Sequence, residues 1–129
     1  MSRSRFLLEI RILVVDDYLP WHKSVVSILR QNPTMRVVGA AVNGLEALAK
    51  VVDLRPDVVL LDFEMPILDG IQTMAEILRV SPSTRVIFVT ASDSPRFREQ
   101  ASAAGAVGVV SKMHAGFRLI PAIEESLQK

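Results

Sequence analysis

The stretch Pro56-Asp57-Val58-Val59-Leu60-Leu61-Asp62-Phe63-Glu64-Met65-Pro66 decides the fold. Its apolar run has no polar alternation and ends abruptly in a carboxylate, and Pro66 keeps a strand from simply continuing. An unbroken Val/Leu run is the pattern of a strand buried on both faces of a parallel sheet. Open sheets of that kind bind ligands in the crevice at the carboxyl ends of their strands. Taken alone, the stretch allows two readings of Asp62: a site residue at the rim of the core, or a turn-former before Met65-Pro66.

Outward from this stretch the chain alternates regularly. Upstream, Ile10 to Val15 is a β-branched run ending in Asp16-Asp17, and Pro20 suits the first turn of a helix, where its missing N–H is not needed. Trp21, Val25, Ile28 and Leu29 recur at helical spacing until Asn32-Pro33. Met35 to Val42 is a weaker strand, diluted by Gly39 and two Ala, and Asn43 to Glu46 has capping-box spacing. The helix that follows is expected to bury Leu45, Leu48, Val51 and Val52. Downstream, Asp69-Gly70-Ile71-Gln72 opens a helix with Ile71, Met74, Ile77 and Leu78 facing inward, ended by Ser81-Pro82-Ser83. Arg85 to Val89 is the fourth strand, running into Thr90-Ala91-Ser92-Asp93. Ser94-Pro95 starts a helix with a thin apolar face of Phe97, Ala101 and Ala104, and Gly105 fits just past its end. Val107 to Val110 is the fifth strand, before Ser111-Lys112, and a last helix from about Gly116 buries Leu119, Ile120, Ile123 and Leu127. Five strands alternating with five helices predict an α/β, doubly wound parallel sheet with right-handed crossovers.

Composition narrows the function classes. At 129 residues the chain is one ordinary domain, able to bury roughly two-thirds of its unfolded surface. Half of it is hydrophobic and 22% is charged, and a net charge of +1 gives bulk electrostatics no reason to bring it to nucleic acid or a membrane. Without Cys there is no disulfide, thiolate metal site or cysteine nucleophile, and the cytoplasm is the default compartment. No apolar run approaches the ~20 residues that span a bilayer. Residues 1–8 read as a frayed tail on a single domain covering 1–129, with any DNA-binding domain outside this chain.

The strand ends carry the chemistry. The first strand stops at Asp16-Asp17, the third at Asp62, the fourth at Thr90 and the fifth at Lys112, and a parallel sheet puts all of them on one edge. Clustered carboxylates suit a hard, oxygen-seeking cation such as Mg²⁺, and repel one another unless a cation or Lys112 is near. One carboxylate could attack phosphorus while the positive charges neutralise the phosphoryl group. Against this stand plainer roles: Asp16 or Asp17 as a helix cap, Thr90 as an ordinary strand end, Lys112 as a surface lysine. Tyr18, Trp21 and His22 are read as packing or surface residues.

Together these motifs resemble a response-regulator receiver domain of bacterial two-component signalling, from about Arg11 to Leu127. The matching residues are Asp16-Asp17, Asp62 in Leu-Asp-Phe-Glu-Met-Pro-Ile-Leu-Asp-Gly, Thr90-Ala91, and Lys112 after Gly105-Ala106-Val107-Gly108. The resemblance implies a flavodoxin-like (βα)5 three-layer sandwich of strand order 2-1-3-4-5. It implies that a sensor histidine kinase or phosphotransfer protein phosphorylates Asp62, with Mg²⁺ held by Asp17, Asp62 and the backbone carbonyl of Glu64, and Asp16 acting through water. Lys112 and Thr90 would contact the phosphoryl oxygens, Ala91 would leave them room, and Glu64 and Ser92 would modulate how long the group survives. It further implies an output domain or effector outside this chain, and a homodimer linked to phosphorylation.

Three positions depart from the pattern. Val109 stands where an aromatic switch residue is usual, Met113 follows Lys112 where Pro is frequent, and Pro121 falls within the last helix. An interior proline costs ~3 kcal/mol, so that helix is expected either to start late, with Pro121 in its first turn, or to kink. Exposed Met113 and Phe117 are candidates for a partner contact on the face made by the fourth helix, fifth strand and fifth helix. Two rivals remain: a degenerate receiver serving only as an interaction module, and a Mg²⁺-dependent phosphohydrolase, which would want an Asp where Glu64 stands.

Overall fold

The computed structural model describes residues 8–65, 69–91 and 94–128. The tail up to residue 7, the strand stop at Pro66 and the modulating position Ser92 lie outside the described residues. Strands β1 (Ile10–Val15), β2 (Met35–Ala41), β3 (Val58–Asp62), β4 (Arg85–Thr90) and β5 (Gly108–Ser111) alternate with helices. The helices are α1 (Leu19–Leu29), α2 (Gly44–Leu54), α3 (Gly70–Val80), α4 (Pro95–Ala104) and α5 (Ala115–Ser126), the last preceded by a single 3₁₀ turn, Lys112–His114. All four strand pairings are parallel and the order is β2-β1-β3-β4-β5, as the resemblance implies. Among the described residues no helix is long and apolar enough to cross a membrane.

The absence of alternation in β3 has a direct cause: all five of its residues are buried, because helices cover both faces of the sheet. Ile12, Val14, Val58, Leu60, Ile87 and Val89 meet Trp21, Val25 and Leu29 of α1 and Leu119 and Ile123 of α5 on one side. Leu13, Val15, Val59, Leu61, Val86 and Phe88 meet Ala47 and Val51 of α2, Met74 and Ile77 of α3, and Phe97 and Ala101 of α4 on the other. Burial of each Val, Leu, Ile, Met or Phe side chain among them contributes about 1.5–3 kcal/mol against the exposed state.

Several expectations are corrected. Leu45 and Val52 are each 57% exposed. The inner face of α2 is instead Gly44, Ala47 and Val51, whose 3- and 4-residue spacing turns the Leu45 and Val52 positions outward. Ala104 and Leu127 are exposed, and β5 begins at Gly108 rather than Val107 and includes Ser111. Asn43 caps α2 by accepting from the Glu46 N–H at 2.8 Å, but the Glu46 carboxylate returns to Val42, not to Asn43. A late start for the last helix is overturned. It begins at Ala115, and Pro121 sits in its interior. There it withholds the N–H that the Phe117 carbonyl would accept. Pro121 faces solvent, so water can satisfy that carbonyl.

Gly70 is required by packing. A Cβ there would lie 2.9 Å from the Cα and carbonyl O of Phe63 and 2.9 Å from Phe88 Cε1. Two of those atoms are backbone of the segment leaving β3, and the Gly70 N–H itself donates to the Phe63 carbonyl at 3.1 Å. Gly70→Ala must displace that segment and is expected to lower unfolding free energy by about 2–3 kcal/mol. Urea denaturation should show a lower midpoint at unchanged slope, and an unshifted midpoint would mean the segment yields freely.

Candidate functional site

At the carboxyl edge, β1 runs into Asp16, whose N–H still bonds the Ala41 carbonyl of β2 at 2.9 Å. That last ladder bond holds Asp16 completely buried while Asp17 turns into solvent. Asp16 makes three polar contacts, the one at Oδ2 an ion pair without hydrogen-bond geometry. Its Oδ1 accepts the Tyr18 N–H at 2.8 Å, its carbonyl lies 2.7 Å from His22 Nε2, and its Oδ2 is 2.6 Å from Lys112 Nζ. The reading of Asp16 or Asp17 as helix caps does not hold: Tyr18 occupies the cap position of α1, with no side-chain cap bond.

Asp62 ends β3 with 7% of its surface exposed. Its Oδ1 accepts the Glu64 N–H at 3.2 Å, a local bond that turns the chain away from the sheet. One carboxylate oxygen from each of Asp16, Asp17 and Asp62 lies within 4.8 Å of the others. Burial, and then the negative charge of Asp16, push the Asp62 carboxyl up to about 6. Lys112 and the Glu64 N–H oppose that rise, and Asp17 adds to it. The donor set fits a hard cation: it is all oxygen, open to solvent at Asp17, and electrostatically crowded until positive charge arrives.

Thr90 ends β4 buried to 1% exposure, in register with Ser111 of β5. It lines an open pocket of about 330 Å³ together with Phe63, Glu64, Ser94, Arg96, Phe97 and Gln100. Ala91 and Glu64 are exposed. Lys112 leaves β5 in the 3₁₀ turn, its side chain 24% exposed. Val109 is partly buried and packs with the cluster on the α2–α4 side of the sheet. Met113 and Phe117 are 81% and 68% exposed, as expected.

Three contacts were not anticipated from the chain. The Trp21 ring lies under the Lys112 ammonium, 5.3 Å from centroid to nitrogen. Phe63, next to Asp62, stacks edge-on against Phe97 of α4 at 4.4 Å and Phe88 at 5.6 Å. All three pairs join residues far apart in sequence, so no local spacing announces them.

A family model described as the response regulator receiver domain matches residues 12–124. The protein-glutamate methylesterase/protein-glutamine glutaminase of Thermotoga maritima is 39% identical over 112 residues, or 85% of this chain and 32% of that protein. A protein-glutamate methylesterase/protein-glutamine glutaminase 2 from Methanosarcina acetivorans is 52% identical over 84 residues, or 65% of this chain and 23% of that protein. The chain thus spans less than a third of the length of either relative. Among solved structures, the response regulator domain of Thermotoga maritima CheB superposes with a TM-score of 0.84 at 32% identity, covering 94% of this chain and 98% of that one. The signal receiver domain of NarL from Mycobacterium tuberculosis superposes with a TM-score of 0.83, also at 32% identity, covering 93% and 97%.

Proposed function

This chain belongs to the response regulator receiver domain family, and from that premise we propose that it is a phosphorylation-controlled switch with Asp62 as phosphoacceptor. The observation that carries the reading is the convergence of Asp16, Asp17 and Asp62 within 4.8 Å, with Lys112 ion-paired into the same cluster. In this reading a sensor histidine kinase or phosphotransfer protein presents a phosphoramide. A carboxylate oxygen of Asp62 forms the new O–P bond as the donor's P–N bond breaks, and the nitrogen leaves with a proton. Lys112 and Thr90 face the phosphoryl oxygens, and Ala91 is small enough to admit them.

Asp17, Asp62 and the Glu64 backbone carbonyl would hold Mg²⁺, with Asp16 contributing through water. When bound, the ion supplies positive charge to phosphoryl oxygens in transfer and relieves the repulsion among the carboxylates. Glu64 and Ser92 tune the lifetime of the acyl phosphate. The chemistry of the chain itself ends with self-phosphorylation and slow self-dephosphorylation.

The phosphoryl group adds about −1.5 to −2 charges at a buried position. That charge draws Thr90 inward and biases a pre-existing equilibrium of the α4–β5–α5 face. Val109 cannot swing as an aromatic would, so the shift reaches the surface by repacking around it. Met113 and Phe117 offer apolar contact there to an output domain, an effector or a second copy of the chain. The methylesterase and glutaminase activities named for the relatives belong to those longer proteins. A cytoplasmic location, without direct nucleic-acid or membrane contact, completes the reading of residues 1–129 as one receiver domain.

A second reading, a degenerate receiver acting only as an interaction module, draws its support from Val109 at the switch position. The two separate in one experiment: incubation with acetyl phosphate or phosphoramidate and Mg²⁺, read by intact mass. Wild type is expected to gain one phosphoryl group and Asp62→Asn none. An adduct that persists in Asp62→Asn overturns the assignment of the acceptor. No adduct on wild type under any condition favours the interaction module.

A further inference from the structure

The lysine at the centre of this site needs to be held. A lysine ammonium is a compact charge on a flexible four-carbon stem, and Lys112 stands in a short 3₁₀ turn with its side chain 24% exposed. Two groups fix it from different directions: Asp16 Oδ2 at 2.6 Å and the indole of Trp21, 5.3 Å away to its centroid. Indole is the strongest π partner for a cation among the side chains. Trp21 is itself packed into the core. It sits in the first turn of α1, 7% exposed, within the cluster that includes Val25, Val110, Ala115 and Leu119. That cluster also contains the first residue of α5, three positions after Lys112, so a single indole braces both the ammonium and the backbone that carries it.

We propose that Trp21 is a positioning residue for Lys112, its indole face keeping the ammonium over the carboxylate cluster in the geometry from which it meets the incoming phosphoryl group. This rests on the phosphoacceptor reading of Asp62. A core-filling Trp21 would be replaceable by any apolar side chain that restores stability. A positioning Trp21 requires an aromatic face, whatever the stability. As the phosphoryl oxygens arrive, Lys112 trades part of its contact with Asp16 for them while remaining against the ring, so its approach is guided rather than searched.

The test compares wild type with Trp21→Phe, Trp21→Leu and Trp21→Met in the full chain, timing phosphoryl uptake from phosphoramidate with Mg²⁺ at varied donor concentration. Urea midpoints confirm that each variant is folded. The saturating rate is expected to fall roughly three- to tenfold in the Leu and Met variants, the size of effect a partly buried cation–π contact supports. The half-saturating donor concentration should barely move, and Trp21→Phe should retain most of the rate. Because Trp21 is the sole tryptophan, its emission in wild type should also change in step with the phosphoryl adduct as Lys112 shifts. A folded Leu or Met variant as fast as wild type overturns the proposal. So does a Phe variant as slow as Leu, or emission unchanged at full conversion. A wild type that takes no phosphoryl group overturns the proposed function and this inference with it, whereas the other adverse outcomes leave the proposed function standing.

Discussion

Asp62→Asn should stabilise the metal-free protein at pH 7 by on the order of 2 kcal/mol, even as it removes the proposed phosphoacceptor. In the folded protein the Asp62 carboxyl is pushed up to about 6 from the ordinary 3.8, first by burial and then by the charge of Asp16. The folded state therefore holds this proton more tightly than the unfolded chain does. Protonated Asp62 costs the fold nothing extra, so this contribution favours folding most below about pH 4. It is lost as pH rises through about 6, and is flat beyond. Asparagine carries no charge and has no such slope. Urea midpoints measured in EDTA should diverge, wild type losing ground to Asp62→Asn between about pH 4 and about 6. Adding Mg²⁺ at pH 7 should raise the wild-type midpoint by mass action and the Asn variant's much less. Parallel curves across that pH window would show that Asp62 bears no electrostatic strain.

Lys112→Met should have the opposite sign and a larger size. Asp16 is completely buried, and Lys112 Nζ lies 2.6 Å from its Oδ2. Removing one partner of a buried ion pair leaves an uncompensated charge, a loss of ~3 kcal/mol or more. Here that charge sits beside Asp62, whose own strain Lys112 was easing. Asp16→Asn in the Lys112→Met background removes the stranded carboxylate and should restore most of the loss, although the Tyr18 N–H then bonds an amide oxygen in place of a carboxylate. Urea unfolding of the two single variants and the double, in EDTA at pH 7, checks the cycle. If the double variant is no more stable than Lys112→Met, the cost lies in lost packing of the lysine stem.

The run Val58-Val59-Leu60-Leu61 betrays a strand covered on both faces because burial leaves no solvent side to alternate toward. Its terminal Asp62, with Asp16, Asp17, Thr90 and Lys112 at the other strand ends, follows from topology alone, since parallel strands share one carboxyl edge. The misreadings have equally plain causes. Leu45 and Val52 look like core residues by hydropathy, but Gly44 and Ala47 present the small surface that turns that other face of α2 toward the sheet. Pro121 points to a late helix start or a kink, yet with Ala115, Leu119 and Ile123 buried the helix starts at Ala115 and runs through it.

By itself, the sequence determined the alternation of strands and helices, the three-layer parallel sheet and the residues that gather at its edge. Those properties depend on local periodicity and on the direction of the chain, and both are written in consecutive residues. Only the tertiary structure decided how the gathered charges are shared. Lys112 pairs with Asp16 rather than standing free, Trp21 lies against its ammonium, and Phe63 stacks on Phe97. The physical reason is distance: these partners lie tens of residues apart, and their contact exists only after the layers have packed and excluded water from between them.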